Sequence, residues 1–215
     1  MSGVLTGIGT ASVALNASKP HRMLAATPLL FGAQQAAEGI VWLTLGDSRH
    51  GILQALAVNA FLGVAVMVWP AWLPFSLRRL ERDAARKRRL TALCAAGAVF
   101  SAIAAILLVH WQPWARLAHH SIAYDYQYSQ SVLAQVAFLT CYVVPAVVPF
   151  FVSTTWLART LGVTLVASMG GAYWVQREAL PSVWCFFAAV LSSLMLAVVL
   201  RERRLQRLSP AVEYP

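Results

Sequence analysis

The sequence has little charge. Lys, Arg, Asp and Glu together make up 12% of its 215 residues, against 59% hydrophobic residues, and no soluble fold of this length could hide that much apolar surface. It is therefore read as an integral membrane protein. Only two lysines occur, Lys19 and Lys87, both in stretches assigned below to cytoplasmic connections, so none is placed to hold retinal as a Schiff base. A retinal pigment is excluded. No histidine follows His120, and neither HExxH nor HxxxH spacing occurs, which removes the usual way of putting two imidazoles on one helical face and weakens the case for a seven-helix metal hydrolase. Cysteine is scarce too. Cys94, Cys141 and Cys185 fall in three separate apolar stretches without a CxxC pair, so they form neither a disulfide framework nor a sulfur metal site. The filter-like segment of a channel and the matched halves of an inverted-repeat transporter are also missing.

What is present is a series of apolar runs. A membrane-crossing helix needs about 20 mainly apolar residues, and reading from one charged break to the next yields seven candidates: about 2–18, 22–46, 51–75, 90–110, 130–153, 156–176 and 180–200. The expected fold is all-α, a bundle of seven transmembrane helices over residues 1–200, followed by a basic cytoplasmic tail, 201–215. The first run lacks the basic leader and cleavage site of a secretory signal, so it is expected to remain as a short, Gly-rich helix.

Lys and Arg set the orientation, because short cytoplasmic loops keep positive charge inside. With the N-terminus outside, Lys19, Arg22, the run Arg78, Arg79, Arg82, Arg86, Lys87, Arg88 and Arg89, then Arg159, Arg201, Arg203, Arg204 and Arg207 all fall on the inner side. Arg49, Arg116 and Arg177 fall outside, a bias of 14 to 3. The N-terminus is thus expected outside and the C-terminus in the cytoplasm. The net charge of +9 needs no nucleic acid to explain it, and the Arg78 to Arg89 stretch reads first as a topology determinant.

Glu38 is the one carboxylate inside a long apolar run, and Gln34 and Gln35 stand just before it. An ionisable group at mid-bilayer costs roughly 3 kcal/mol or more, so it faces a protein interior or a water-filled cavity and marks a candidate site. Gln34, Glu38 and Trp42 are spaced i, i+4, i+8 and so share a face, with Gln35 beside it. Counting at about 1.5 Å per residue from the outer end of each helix puts Asn59 at the depth of Glu38. Thr10 or Ser12, Ser101, Gln135 or Thr140, Ser168 and Ser182 or Cys185 fall within the same outer half. The inner halves are almost wholly apolar. The expected site is a polar pocket open toward the outer side, lined by Gln34, Gln35, Glu38, Trp42, Asn59, Tyr142, Trp184 and Cys185. The competing reading of Glu38 is a structural hydrogen bond to Asn59 or a neighbouring glutamine.

Above it runs the longest outer connection, Trp111 to Ser129, with His119, His120, Tyr124, Asp125, Tyr126 and Tyr128. It is too polar to span and is expected to lie along the interface or fold over the bundle mouth. Glu38 with His110, His119 and His120 is a candidate transition-metal set. Adjacent histidines cannot share one helical face, however, so interfacial histidines are the stronger reading.

Other features point to packing. Gly3, Gly7 and Ala11 form a small-xxx-small ladder, and Gly170 with Gly171 is a second close-approach point. Pro145 and Pro149 are expected to bend the fifth helix and free carbonyls near Cys141, while Pro181 suits a helix start. Trp42, Trp69, Trp72, Trp111, Trp114, Trp156, Tyr173 and Trp174 are assigned to interfacial aromatic belts.

The strings Phe31 to Trp42 (FGAQQAAEGIVW), Tyr142 to Ser153 (YVVPAVVPFFVS) and Ser182 to Ser192 (SVWCFFAAVLS) resemble a family of bacterial multi-pass membrane proteins defined by a domain of unknown function. The likeness runs from the second helix to the seventh. The chain departs from the Cys-Phe-Ser-Ala-type start of that family with Met1-Ser2-Gly3. The resemblance implies seven helices in a bacterial inner membrane and brings no activity or cofactor with it. Three functions stay open: a binding or sensing protein for a small molecule, lipid head group or cation; a membrane enzyme using Glu38 and an outer histidine; and an accessory subunit packed against other membrane chains.

Overall fold

The computed structural model describes residues 2–15, 22–118, 120–125, 131–175 and 192. Its helices are α1 (Ser2–Leu15), α2 (Arg22–Ala25), α3 (Thr27–Thr44), α4 (Gly51–Leu62), α5 (Trp69–Leu80), α6 (Ala84–Trp111), α7 (Val132–Val152) and α8 (Trp156–Val175). The expected seventh span, about 180–200, and the tail 201–215 lie outside the described residues, apart from Ser192, which is helical and buried.

Three stretches are long and apolar enough to cross a membrane: Gly51–Leu80, Ala84–Trp111 and Val132–Val152. Only 17–22% of their apolar windows is buried within the protein, so most of that surface faces outward and calls for lipid as solvent. Leu43, Ile52, Val109 and Leu133 are among the large apolar side chains left exposed. The 18-residue α3 is not among the three, consistent with the polar residues Gln34, Gln35 and Glu38 within it.

The 30-residue stretch Gly51–Leu80 is one continuous helix with a widened middle. Between α4 and α5, residues Gly63–Val68 form a π segment, in which carbonyls bond to the N–H five residues on. The cause is Pro70, whose ring crowds the preceding turn and which has no N–H. In the π register the donor due at the Ala65 carbonyl is residue 70, a proline without an N–H. The Tyr142 hydroxyl of α7 donates to it at 3.0 Å. Two residues on, the Met67 carbonyl accepts from the Ser101 hydroxyl of α6.

Pro74 repeats the problem four residues later, leaving the Pro70 carbonyl without its helical donor. That carbonyl lies against Gly97 of α6, where an added Cβ would stand 1.9 Å from its oxygen. Only glycine permits this approach, so Gly97 sets how closely α5 and α6 pack.

Below this point one core cluster ties Leu73 and Leu77 of α5, Leu90 of α6, Phe150 of α7 and Leu161 of α8. Here α5 packs on both α6 and α7, and α7 packs on α8. A second cluster forms at the opposite end from Val41, Val58, Phe61 and the residues of a hairpin.

That hairpin corrects the expectation of an all-α chain. Helix α6 stops where Gln112 turns left-handed (φ 44°) and Pro113 follows. The chain then runs as β1 (Trp114–Ala118) and β2 (Ser121–Asp125), paired antiparallel from Trp114↔Asp125 to Ala118↔Ser121. Arg116 and Asp125 form an ion pair across it. Ile122 and Tyr124 are buried, and the Tyr124 ring stacks on Phe61 with centroids 4.6 Å apart. Within its described residues, 111–118 and 120–125, the connection expected over the bundle end forms a two-stranded cap.

The glycine ladder on α1 is not the face that meets α3. Gly3 and Gly7 are exposed, and a Cβ at either would meet nothing within 4 Å. Helix α1 packs on α3, and its buried residues include Leu5, Gly9 and Ser12. A Cβ at Gly9 would meet Leu29 at 2.7 Å, and one at Gly32 would meet Thr6 Oγ1 at the same distance. On α8 the close approach falls at Gly162 against Phe150, while Gly170 is open.

Candidate functional site in the bundle interior

Helix α3 begins at Thr27, with Pro28 in its first turn, where the missing N–H costs nothing. From there the helical period carries Thr27, Gln34, Glu38, Val41 and Thr44 into the interior. Four of these five are polar. Glu38 is 5% exposed and Gln34 is 2% exposed.

Helix α5 supplies the partners for the first half of this stripe. The Trp69 indole N–H donates to Gln34 Oε1 at 3.1 Å, and the Trp72 indole N–H donates to Thr27 Oγ1 at 3.2 Å. Phe31 lies on Trp69, with centroids 4.2 Å apart, and holds the indole toward Gln34. Both tryptophans were expected in an interfacial belt. Trp69 is buried and Trp72 half-buried, and α3 supplies the acceptor that each indole N–H requires there. Trp42, Trp114, Trp156 and Trp174 are exposed, as a belt position requires.

Glu38 lies one turn beyond Gln34. Its Oε2 accepts a 2.9 Å hydrogen bond from the Gln35 amide. One turn further, Val41 enters the apolar cluster closed by Ile122 and Tyr124 of the hairpin. The carboxyl therefore sits between the Gln34–Trp69 bond on one side and the hairpin-capped cluster on the other. An acidic oxygen held there by an amide donor can accept a proton, pair with a cation, or receive the ammonium of a small molecule.

Not every residue expected around Glu38 is gathered there. Asn59 is on the exposed face of α4, with its amide donating to the Ala55 carbonyl one turn back at 2.8 Å. Trp42 is 42% exposed, because the buried stripe passes through Val41 instead. Tyr142 is half-buried and bound to the π segment. Trp184 and Cys185 lie outside the described residues, as does His119. His110 and His120 are exposed, while Glu38 is buried. Among the described residues no group of three or more His, Cys, Asp or Glu is placed to hold a metal.

A family model described as "Family of unknown function (DUF6629)" matches residues 1–210. The chain belongs to this family. No curated protein and no solved structure matches it.

In this DUF6629 chain a second buried carboxylate went unnoticed in the sequence. Glu81 ends α5 at the opposite end of the bundle from the hairpin and is 3% exposed. Its Oε1 accepts from the backbone N–H of Arg82 and of Asp83, each at 3.0 Å, and its Oε2 accepts from Thr154 N–H at 2.8 Å. The Thr154 hydroxyl adds a further bond at 3.0 Å. Alongside, Arg86 donates to the Val152 carbonyl at 3.2 Å, so the α5–α6 and α7–α8 turns are clasped together. No local spacing reveals this contact, since Thr154 lies 73 residues on. The one sequence signal is the polar run Ser153-Thr154-Thr155 between two apolar helices.

Burial pushes the Glu81 carboxyl up, but the N–H groups of Thr154, Asp83 and Arg82 with the Thr154 hydroxyl outweigh it and hold the group below the usual range. A carboxyl depressed in the folded state adds stability that is full above its unfolded pKa and is lost as pH falls through the folded one. The melting temperature of the detergent-solubilised protein is expected to fall as pH drops below the ordinary glutamate range. Glu81→Gln turns an amide NH2 toward these donors, so it should cost about 1.5–3 kcal/mol at pH 7 and remove this part of the acid dependence. Equal acid dependence in both proteins would contradict the clasp.

Proposed function

We propose that the chain is a seven-span protein of the bacterial inner membrane, N-terminus outside and C-terminus cytoplasmic, and that Glu38 is the centre of an intramembrane binding site. The ligand is a cation, or the cationic group of a small molecule or lipid head group. The observation that carries this reading is the burial of the Glu38 carboxyl on the polar interior face of α3, with the Gln35 amide on one oxygen. A carboxyl so placed is expensive and is kept where it faces a ligand, an ion path or a partner group. The widened π segment is a second support, because such segments recur at functional sites, and it stands immediately before Trp69, which holds Gln34.

The orientation rests on the distribution of Lys and Arg along the sequence. The seven spans comprise the three long apolar helices, the shorter α1, α3 and α8, and the stretch 180–200. The exposed glycines of α1 favour a second reading, in which this helix packs against another membrane chain as part of a larger complex. Purification in mild detergent with a stoichiometric second chain would support it.

Native mass spectrometry with metal analysis tests the site on wild type and on Glu38→Gln, which keeps the shape and removes the charge. Wild type is expected to carry a bound ion or small molecule that the variant loses while its melting temperature stays within a few degrees. Identical bound masses would contradict the proposal. Cysteine labelling tests the orientation in a chain whose Cys94, Cys141 and Cys185 are replaced by Ser. An impermeant maleimide applied to spheroplasts should label Ser121→Cys and spare Lys87→Cys, and the reverse pattern would overturn the assignment.

A further inference from the structure

At the Glu81 end of the bundle, Arg78 and Arg79 close α5, Arg82 lies in the turn, and Arg86, Lys87, Arg88 and Arg89 open α6. Seven cations thus stand within twelve residues, beside two carboxylates. Neither carboxylate forms an ion pair with them. Glu81 is turned inward onto the N–H groups of Arg82, Asp83 and Thr154. Asp83 caps α6, accepting from Arg86 N–H at 2.8 Å.

Three of the cations are engaged by neutral groups of the protein. Arg78 donates to Thr91 Oγ1, Arg86 donates to the Val152 carbonyl, and Arg79 lies over the Phe75 ring. Arg82, Lys87, Arg88 and Arg89 are exposed, and among the described residues their side chains make no hydrogen bond or ion pair. Lys87, Arg88 and Arg89 also lie near the start of α6, where the helix dipole disfavours positive charge, and no acidic side chain lies in that first turn. The fold therefore turns Glu81 inward, engages the exposed Asp83 as the cap of α6, and leaves four cations facing outward. These lie where two apolar helices end, next to the fully buried Leu90.

We propose that this collar binds the phosphate groups of anionic phospholipids in the surrounding leaflet, with Arg82, Lys87, Arg88 and Arg89 as the contact residues. A topology signal needs only positive charge on the inner side. Here the partner is a lipid because the cations flank the apolar surfaces of α5 and α6, which places them at head-group depth. Guanidinium forks suit phosphate oxygens, and each cation at an anionic surface is worth about a fivefold change in binding. The proposal rests on α5 and α6 crossing the membrane, and recovery of the chain in alkali-washed membranes tests that point separately.

The experiment is native mass spectrometry of the full-length protein in detergent, titrated with phosphatidylglycerol and with phosphatidylcholine of equal chain length. Wild type should favour the anionic lipid by at least about tenfold at low salt, with the preference shrinking as salt is raised. The quadruple variant Arg82→Gln, Lys87→Gln, Arg88→Gln, Arg89→Gln should bind the two lipids nearly equally, its melting curve confirming that it is folded. Arg49→Gln, at the other end of the bundle, should keep the wild-type preference. The proposal is overturned by any of three results: no preference in wild type, an unchanged preference in the folded quadruple variant, or complete displacement of lipid by millimolar inorganic phosphate.

Discussion

Inside a bilayer no water is present to satisfy a backbone carbonyl, and the helix Gly51–Leu80 carries two prolines that withhold donors from it. The arrangement of its neighbours follows from how those carbonyls are served. Pro70 has no N–H to offer the Ala65 oxygen across the π register, and the Tyr142 hydroxyl of α7 reaches that oxygen. Pro74 frees the Pro70 oxygen, and α6 comes close enough to accommodate it only because residue 97 is glycine. Two prolines on one helix thereby hold α6 and α7 against it.

The same helix anchors the polar face of α3. Trp69 and Trp72 direct their indole N–H groups at Gln34 and Thr27, which fixes the rotation of α3 and keeps Glu38 inside. The hairpin closes the bundle one turn beyond Glu38, and the Glu81 clasp ties two turns at the far end. The interior carboxylate thus occupies a layer bounded at both ends by contacts between elements distant in sequence. The outward surface between those ends is apolar, as lipid requires.

Much of this was legible in the sequence, because apolar run length and isolated charge are local properties. The runs from 51, 90, 130 and 156 appear as helices, and Glu38, Gln34 and Gln35 lie on or beside the interior face of α3. Helix rotation was not legible. Asn59 matches Glu38 in depth yet turns outward, because the interior face of α4 is claimed by Ala57, Val58, Phe61 and Leu62. Gly3 and Gly7 have the spacing of a packing ladder, but α1 presents Leu5 and Gly9 to α3. Trp69 and Trp72 look like belt residues until their acceptors on another helix are known, and Glu81 looks like a loop charge until Thr154 is brought to it. For Trp69, Trp72 and Glu81 the deciding partner lies 35, 45 and 73 residues away.

The central claim is that Pro70, having no N–H to offer the Ala65 carbonyl, makes the bundle depend on Tyr142, and a double-mutant cycle in lipid nanodiscs tests it most directly. Tyr142→Phe deletes the hydroxyl, and Pro70→Ala restores the backbone N–H. The account predicts that Tyr142→Phe costs about 1 kcal/mol in the parent protein and close to nothing once residue 70 can donate. An equal cost in both backgrounds would contradict it.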